Sequence, residues 1–265
     1  MTSIRLYSLP PRLVAVFDIL VGILMVLWFN HVVAMPMLGL WFGVRFFWYA
    51  VLLFSMYYPT FLSKLEHLQA LIIFNIGVVF LMLFIDEKVI RSLLEAVLII
   101  FSAASFWLVP AASGDLSVMA KPYRRWKFLM SIFGVAGIWN GVKALEIFQV
   151  TQGNLRFGLV SLAILLTVMI SIWGWQEYGL VYSKKFLTAA LVLAVCLAEV
   201  AYVLALWPLG YFASSFILTW VWYMIWLFLR FYISDEGIDM ARQRWFLLFN
   251  VAFLLIFLIF VVRWR

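Results

Sequence analysis

The chain is a succession of long apolar blocks separated by short polar stretches. A helix needs about 20 mostly apolar residues to cross a bilayer. Nine blocks meet that length, at residues 13–34, 37–58, 67–85, 91–110, 126–148, 156–176, 186–207, 211–230 and 243–263. The fifth and sixth are the weakest of these blocks. The pattern therefore predicts an all-α, polytopic transmembrane helical bundle with about nine spans, eight to nine in all.

Prolines mark the boundaries of these blocks. Proline removes a helical hydrogen bond and clashes with the preceding turn, so it favours helix ends. The seven prolines lie beside block ends: Pro10, Pro11, Pro36, Pro59, Pro110, Pro122 and Pro208. Their positions support the same division into spans.

The amino-acid composition also indicates that the chain is embedded in a lipid bilayer. The 265 residues are 68% hydrophobic and 12% charged, with a mean hydropathy of +1.11, whereas soluble domains are about half apolar and a quarter charged. The net charge of +7 comes from lysines and arginines scattered at the edges of apolar blocks. Such placement favours anionic lipid headgroups over nucleic acid. The lipid bilayer is the predicted partner, and no nucleic acid is expected.

The lysines and arginines also predict an orientation. Twelve of the 19 lie at the span ends on the N-terminal side, and seven lie on the other: Arg45, Lys88, Arg91, Lys143, Arg156, Arg263 and Arg265. Because cytoplasmic ends carry the excess of positive charge, the N-terminus is predicted in the cytoplasm. Nine spans then place the C-terminus outside.

Short connections predict one integral membrane domain over residues 1–265, without a soluble domain. Blocks one to four and five to eight have similar lengths, which leaves open a tandem organisation of residues 1–115, 116–234 and 235–265. The alternative is nine unrelated helices. Two glycine pairs, Gly39 with Gly43 and Gly137 with Gly141, have the spacing that allows helix backbones to approach closely.

Catalytic and metal-binding patterns are missing from the sequence. Cys196 is the single cysteine, so neither an intrachain disulfide nor a zinc cluster can form. His31 and His67 lie near span ends on opposite sides, where interfacial hydrogen bonding is expected. The stretch DEKVIR at 86–91 lacks the later histidines of membrane-embedded CAAX-type proteases. No HExxH, GxSxG or Walker A pattern occurs. No cofactor is predicted, and enzymatic activity is not supported.

A few polar side chains lie within the predicted spans: Asp18, Arg45, Asn75, Glu95, Asn140, Lys143, Glu146, Glu199 and Asn250. At a rise of about 1.5 Å per residue, Asp18 lies roughly 8 Å from the cytoplasmic edge and Arg45 roughly 18 Å. The difference of about 10 Å argues against a direct pair. Glu199 and Asn140 match the depth of Arg45.

The depths therefore predict a polar cluster in the outer half of the bundle. It is a ligand or ion-pair site of Arg45, Asn140 and Glu199, with Glu95, Lys143 and Glu146 nearer the outer face. Two alternatives remain open. Arg45 could extend to the outer headgroups, and Lys143 could simply pair with Glu146, three residues along the same helix.

The C-terminal third carries the stretch WVWYMIWLFLRFY before a charged loop, and its last span closes on Arg263, Trp264 and Arg265. These features resemble uncharacterised polytopic membrane proteins of bacterial candidate phyla. The resemblance covers about fifty residues. It implies a bacterial inner membrane and no particular activity.

Three classes of function remain compatible with these patterns. The leading hypothesis is a non-enzymatic protein, either a component of a membrane assembly that contains other membrane-protein subunits or a small-solute or lipid-handling protein. One alternative is a secondary transporter that uses Arg45, Asn140 and Glu199. The other is a membrane enzyme acting on lipid-linked substrates through Glu95 and Glu146.

Overall fold

The computed structural model describes residues 9–31, 35–56, 61–85, 87–109, 116–148, 154–180, 182–234 and 240–261. Within these ranges the chain forms nine α-helices: α1 Pro11–Phe29, α2 Met35–Ser55, α3 Phe61–Phe84, α4 Lys88–Trp107, α5 Leu116–Ile147, α6 Asn154–Glu177, α7 Lys184–Leu206, α8 Tyr211–Ile233 and α9 Met240–Ile256. A short π-helical segment, Phe257–Val261, follows α9.

All nine helices of the described part are long and apolar enough to cross a membrane. The predicted all-α, multi-pass architecture is therefore confirmed, with nine rather than eight spans. The sequence predicts the fifth span from residue 126; in α5 the apolar part begins at Pro122, and the helix itself begins at Leu116 and includes that proline. The charged loop at 235–239 and the terminal Arg263, Trp264 and Arg265 lie outside the described residues.

The chain divides into two compact units, Met1–Gly134 and Val135–Arg265. The division falls within α5, so the first half of this helix belongs to unit 1 and the second half to unit 2. The predicted tandem boundary at residue 115 and the single membrane domain stay predictions.

Unit 1 is a closed arrangement of four helices joined by the first half of α5. α1 packs against α2 and α4, and α3 packs against the same two helices. The start of α1 is tied to the end of α2, because Leu9 N donates a hydrogen bond to Ser55 O at 3.1 Å. Trp126 of α5 donates its indole N–H to Phe101 O of α4. The interior of this unit holds a buried polar network.

α3 and α5 cross closely inside unit 1, at Gly77 and Gly134. A Cβ added at Gly77 would lie 2.5 Å from Gly134 Cα and would also meet the carbonyl oxygen of Phe133. Only glycine permits such an approach of two backbones. By contrast, a Cβ at Gly39 or Gly43 would meet nothing within 4 Å. The first predicted glycine pair therefore does not mark a tight crossing.

Unit 2 is held together by aromatic and hydroxyl side chains. Trp222 of α8 donates its indole N–H to Ser171 Oγ of α6 at 2.8 Å, and Trp226 donates to the carbonyl of the same serine. Trp175 of α6 packs edge-on against Phe186 of α7. α9 packs against α8, where the Trp220 and Phe253 rings lie 4.7 Å apart. These contacts join α6, α7, α8 and α9, and α7 carries Glu199.

Candidate functional site

An ion pair between Asp18 of α1 and Arg45 of α2 lies in the interior of unit 1. Arg45 Nη1 lies 3.0 Å from Asp18 Oδ1, and Nη2 donates to Oδ2 at 3.4 Å. Trp48, one turn from Arg45 on α2, donates its indole N–H to Asp18 Oδ1 at 3.2 Å. The two charged side chains are 1% and 0% exposed. A buried charge in a spanning helix needs such a partner, and here the two charges neutralise each other.

This pair corrects the depth argument drawn from the sequence, which placed Arg45 beside Glu199 or the outer headgroups. Helix α1 begins at Pro11 and α2 ends at Ser55, each two or three residues away from the predicted block ends. Asp18 then lies about 10 Å from the shared end of these helices and Arg45 about 15 Å. The remaining difference of about 5 Å is within reach of an arginine side chain.

Tyr49 connects the ion pair to a network of hydrogen bonds among α2, α3 and α4. The guanidinium carbon of Arg45 lies 4.4 Å from the centre of the Tyr49 ring. Asn75 Nδ2 donates to Tyr49 Oη at 2.8 Å, and Tyr49 Oη lies 2.8 Å from Ser102 Oγ. Ser102 Oγ donates onward to the carbonyl of Leu98. Tyr49 Oη also lies 3.1 Å from Asn75 Oδ1, so its single proton can be donated either to Asn75 or to Ser102.

The network continues along α4 to a buried histidine. Ser105 Oγ donates to Ser102 O at 2.6 Å and lies 2.9 Å from His67 Nε2 of α3. Which atom donates in the contact between Ser105 and His67 depends on which ring nitrogen of His67 carries the proton. His67 is fully buried and stacks near Phe106 and Tyr123. The interfacial hydrogen bonding expected for His67 is replaced by a contact with Ser105 in the interior network of unit 1.

Replacing Tyr49 with phenylalanine is expected to destabilise the protein by about 1–3 kcal/mol, because Asn75 and Ser102 each lose a buried partner. The measurement is the free energy of unfolding in mixed micelles, with the denaturing detergent as the titrant. Tyr182→Phe is the matched control, since Tyr182 is 69% exposed and should change stability by less than about 0.5 kcal/mol. Equal effects of the two substitutions would show that the Tyr49 hydroxyl contributes nothing.

The Arg45 guanidinium has hydrogen-bonding capacity that the described residues do not fill. Its Nε and Nη1 atoms are buried and make no aligned hydrogen bond in the described residues, although Nη1 is close enough to Asp18 for an ion pair. The side chains of Tyr49, Asn75 and Ser102 contact one another through their polar atoms. The arrangement is thus a fixed, electrically neutral network with free N–H groups at the guanidinium.

Unit 2 contains the other cationic group of the predicted cluster. Lys143 Nζ lies 2.9 Å from Glu146 Oε2, with the two side chains 4% and 9% exposed, and Arg156 Nε of α6 lies 3.3 Å from Glu146 Oε1. The predicted pairing of Lys143 with Glu146 is confirmed. Glu146 therefore bridges α5 and α6 between two cations.

Asn140 lies one turn before Lys143 and faces α8. Ser215 Oγ lies 3.3 Å from Asn140 Oδ1, and Asn140 Nδ2 is buried without a partner in the described residues. Oxygen and nitrogen of an amide are assigned from such networks rather than seen. Turning the amide over would leave the oxygen unpartnered instead, so one end stays free in either orientation.

Glu199 and Glu95 both lie at helix surfaces. Glu95 is paired with Arg91 one turn earlier on α4, at 3.6 Å. Glu199 is exposed on α7, and no hydrogen bond or ion pair to it occurs within the described part of the chain. The expectation that Glu199 lies in the bundle interior is wrong. The cluster of six residues as a whole stays a prediction, because Arg45 and Glu95 belong to unit 1 and Asn140, Lys143, Glu146 and Glu199 to unit 2.

Residue spacing along α2 and α4 predicts part of this network. Tyr49 follows Arg45 by four residues and Trp48 by three, so both lie on the same face of α2 as the arginine. Ser102 and Ser105 have the same spacing on α4. Among the described residues, no group of three or more His, Cys, Asp or Glu side chains could hold a metal ion.

Comparison with known proteins identifies no relative of this chain. No family model, no curated protein and no solved structure matches the chain. The function must therefore be argued from the polar groups themselves.

Proposed function

We propose that this protein is a non-enzymatic, multi-pass component of a membrane assembly, and that α7 is the helix through which it assembles. The proposed location is a bacterial inner membrane, with the N-terminus in the cytoplasm and the C-terminus outside. The single observation that carries the proposal is the exposed carboxyl group of Glu199 within a membrane-spanning helix.

Glu199 is far from both ends of α7. It lies about 22 Å from the first residue of the helix and about 10 Å from the last, which is too far for a short side chain to reach water along the helix. The exposed residues beside it are apolar or aromatic, as Val195, Tyr202 and Val203 illustrate. Facing lipid, an acidic side chain at such depth costs about 2.5–3.5 kcal/mol.

A neighbouring transmembrane helix would remove most of that cost. Polar side chains in spanning helices face other helices or water-filled cavities, and hydrogen bonds across helices contribute to association. The buried polar groups of unit 1 are already engaged with one another, so that unit has less need of a partner. An assembly role thus accounts for a carboxyl group that lies far from both ends of a spanning helix and has no partner within the described residues.

We expect the protein to be extracted from native membranes as part of a larger complex, and Glu199→Leu to reduce that complex at least tenfold. The measurement is the mass of the particle after extraction into polymer-bounded native lipid discs. Glu199→Gln should retain most of the complex, because the amide still forms hydrogen bonds. Leu165→Val, on the exposed surface of α6, is the control that should change nothing.

A particle with the mass of one chain in native lipid, for the unaltered protein, would overturn the proposal. A complex that is unchanged by Glu199→Leu would show that assembly does not use α7. The second candidate, small-solute or lipid handling, is favoured by the unfilled donors of Arg45 and Asn140, which could receive an acceptor group.

A further inference from the structure

We infer that the partner of α7 is a second copy of this chain, and that the two α7 helices form a parallel, two-fold symmetric pair. In this pair the Glu199 carboxyl group of each copy accepts a hydrogen bond from the Tyr202 hydroxyl of the other. The inference rests on the proposed assembly function and names its partner.

One continuous exposed stripe of α7 contains both groups. It consists of residues three or four apart along the helix, namely Leu191, Val195, Ala198, Glu199, Tyr202 and Leu206. Residues at this spacing share one face of an α-helix. Tyr202 is 69% exposed and Leu191 is 66% exposed, so the stripe is open over its whole length. We call it the α7 stripe.

The α7 stripe carries an acceptor and a donor that no contact within the described residues uses. Neither Glu199 nor Tyr202 makes a hydrogen bond there, whereas the tyrosine inside unit 1, Tyr49, is fully engaged. A carboxyl group presents an accepting oxygen whether or not it is protonated. A hydroxyl facing hydrocarbon also lacks the partner that a buried tyrosine usually finds.

In a parallel pair of α7 helices, the Tyr202 hydroxyl and the Glu199 carboxyl group lie at the same depth in the membrane. Tyr202 is three residues beyond Glu199, a rise of about 4.5 Å. Long side chains on a helix point back toward its N-terminus, so the Tyr202 hydroxyl lies near the level of Glu199. Two copies inserted with the same topology have parallel α7 helices. The hydroxyl of one copy therefore meets the carboxyl group of the other at the same depth.

In a two-fold symmetric dimer, the hydrogen bond between Tyr202 and Glu199 occurs twice. In a symmetric dimer the same patch serves both copies, so it must be complementary to itself. The α7 stripe meets that condition, because each copy supplies one donor and one acceptor. Ala198, next to Glu199, presents only a methyl group and allows the helices to approach at the contact. A cationic helix of another protein would satisfy Glu199 but would leave Tyr202 unused.

The test is disulfide cross-linking and energy transfer on purified, full-length protein reconstituted into lipid vesicles. Ala198→Cys, in a Cys196→Ala background, should form a covalent dimer on mild oxidation, because two-fold symmetry places residue 198 opposite itself. Leu162→Cys on the exposed face of α6 is the control and should stay monomeric. Energy transfer between two labelled populations gives the dissociation constant of the pair.

Tyr202→Phe should weaken the pair roughly tenfold, since two interhelical hydrogen bonds are lost per dimer. Glu199→Leu should weaken it at least as much, and Glu199→Gln should rescue it. A dimer that does not respond to these substitutions would overturn the inferred contact. A single chain in vesicles, together with a native complex that contains other proteins, would overturn the inference and leave the assembly function standing. A single chain in both experiments would overturn both.

Discussion

Replacing Asp18 with leucine is expected to destabilise the protein by about 3–5 kcal/mol, which is the cost of leaving one member of a buried ion pair without its partner. Arg45 is 1% exposed and cannot lose its proton. Its charge would then remain in the interior of unit 1 with only the face of the Tyr49 ring near it. The measurement is the free energy of unfolding in mixed micelles, checked by thermal unfolding in detergent.

Arg45→Met is expected to cost less than Asp18→Leu, because the carboxyl group left behind can take up a proton and become neutral. The double variant should be more stable than Asp18→Leu alone, since no charge remains uncompensated. Arg91→Leu is the control: the side chains of the Arg91–Glu95 pair are 39% and 21% exposed, against 1% and 0% for Arg45 and Asp18, and losing it should cost at most about 1 kcal/mol. Equal losses for Asp18→Leu and Arg91→Leu would contradict the buried pairing.

Replacing Gly77 with alanine is expected to destabilise unit 1 by about 1–3 kcal/mol or more, because the added methyl group enters the backbone of α5 at Gly134. A backbone cannot move aside as the end of a flexible side chain can. α3 and α5 must therefore separate, and the Phe74 and Phe133 rings that pack beside the crossing must separate with them. Tryptophan fluorescence during detergent-induced unfolding reports the change.

Gly43→Ala is the matched control for this substitution. A Cβ at Gly43 meets nothing within 4 Å, and alanine is favoured over glycine inside helices by about 0.5–1 kcal/mol. The same change should therefore be neutral or slightly stabilising at Gly43 and damaging at Gly77. Similar behaviour of the two variants would refute the close crossing of α3 and α5.

Buried polar side chains and exposed polar side chains in the spanning helices have different roles in this protein. Asp18, Arg45, Tyr49 and Asn75 are buried and engaged with one another, so they specify how the helices of unit 1 pack. Glu199 is exposed within a spanning helix and is unpartnered in the described residues. The first kind holds the fold together, while the second indicates contact with another molecule. This difference in burial is the basis of the proposed assembly through α7.

Sequence reasoning located the spans well and the partners of the polar side chains less well. The predicted ends lie within five residues of the ends of the observed apolar spans, because apolar runs and prolines limit a helix strongly. An error of three residues in a span end shifts the inferred depth of a side chain by about 4.5 Å. The difference in depth between Asp18 and Arg45 in the structure is of the same size, about 5 Å. Depth alone therefore could not decide whether Arg45 meets Asp18. The Lys143–Glu146 pair was predictable because it depends only on spacing along one helix.

By itself, the sequence determined the multi-pass class, a count of eight to nine spans and the set of polar residues placed within the predicted spans. These follow from composition and periodicity, which act along the chain. Only the tertiary structure decided that Arg45 pairs with Asp18, that Gly77 rather than Gly39 marks a close crossing, and that Glu199 is exposed. Each of these depends on how a helix is rotated about its own axis, and that rotation is set by packing against neighbouring helices.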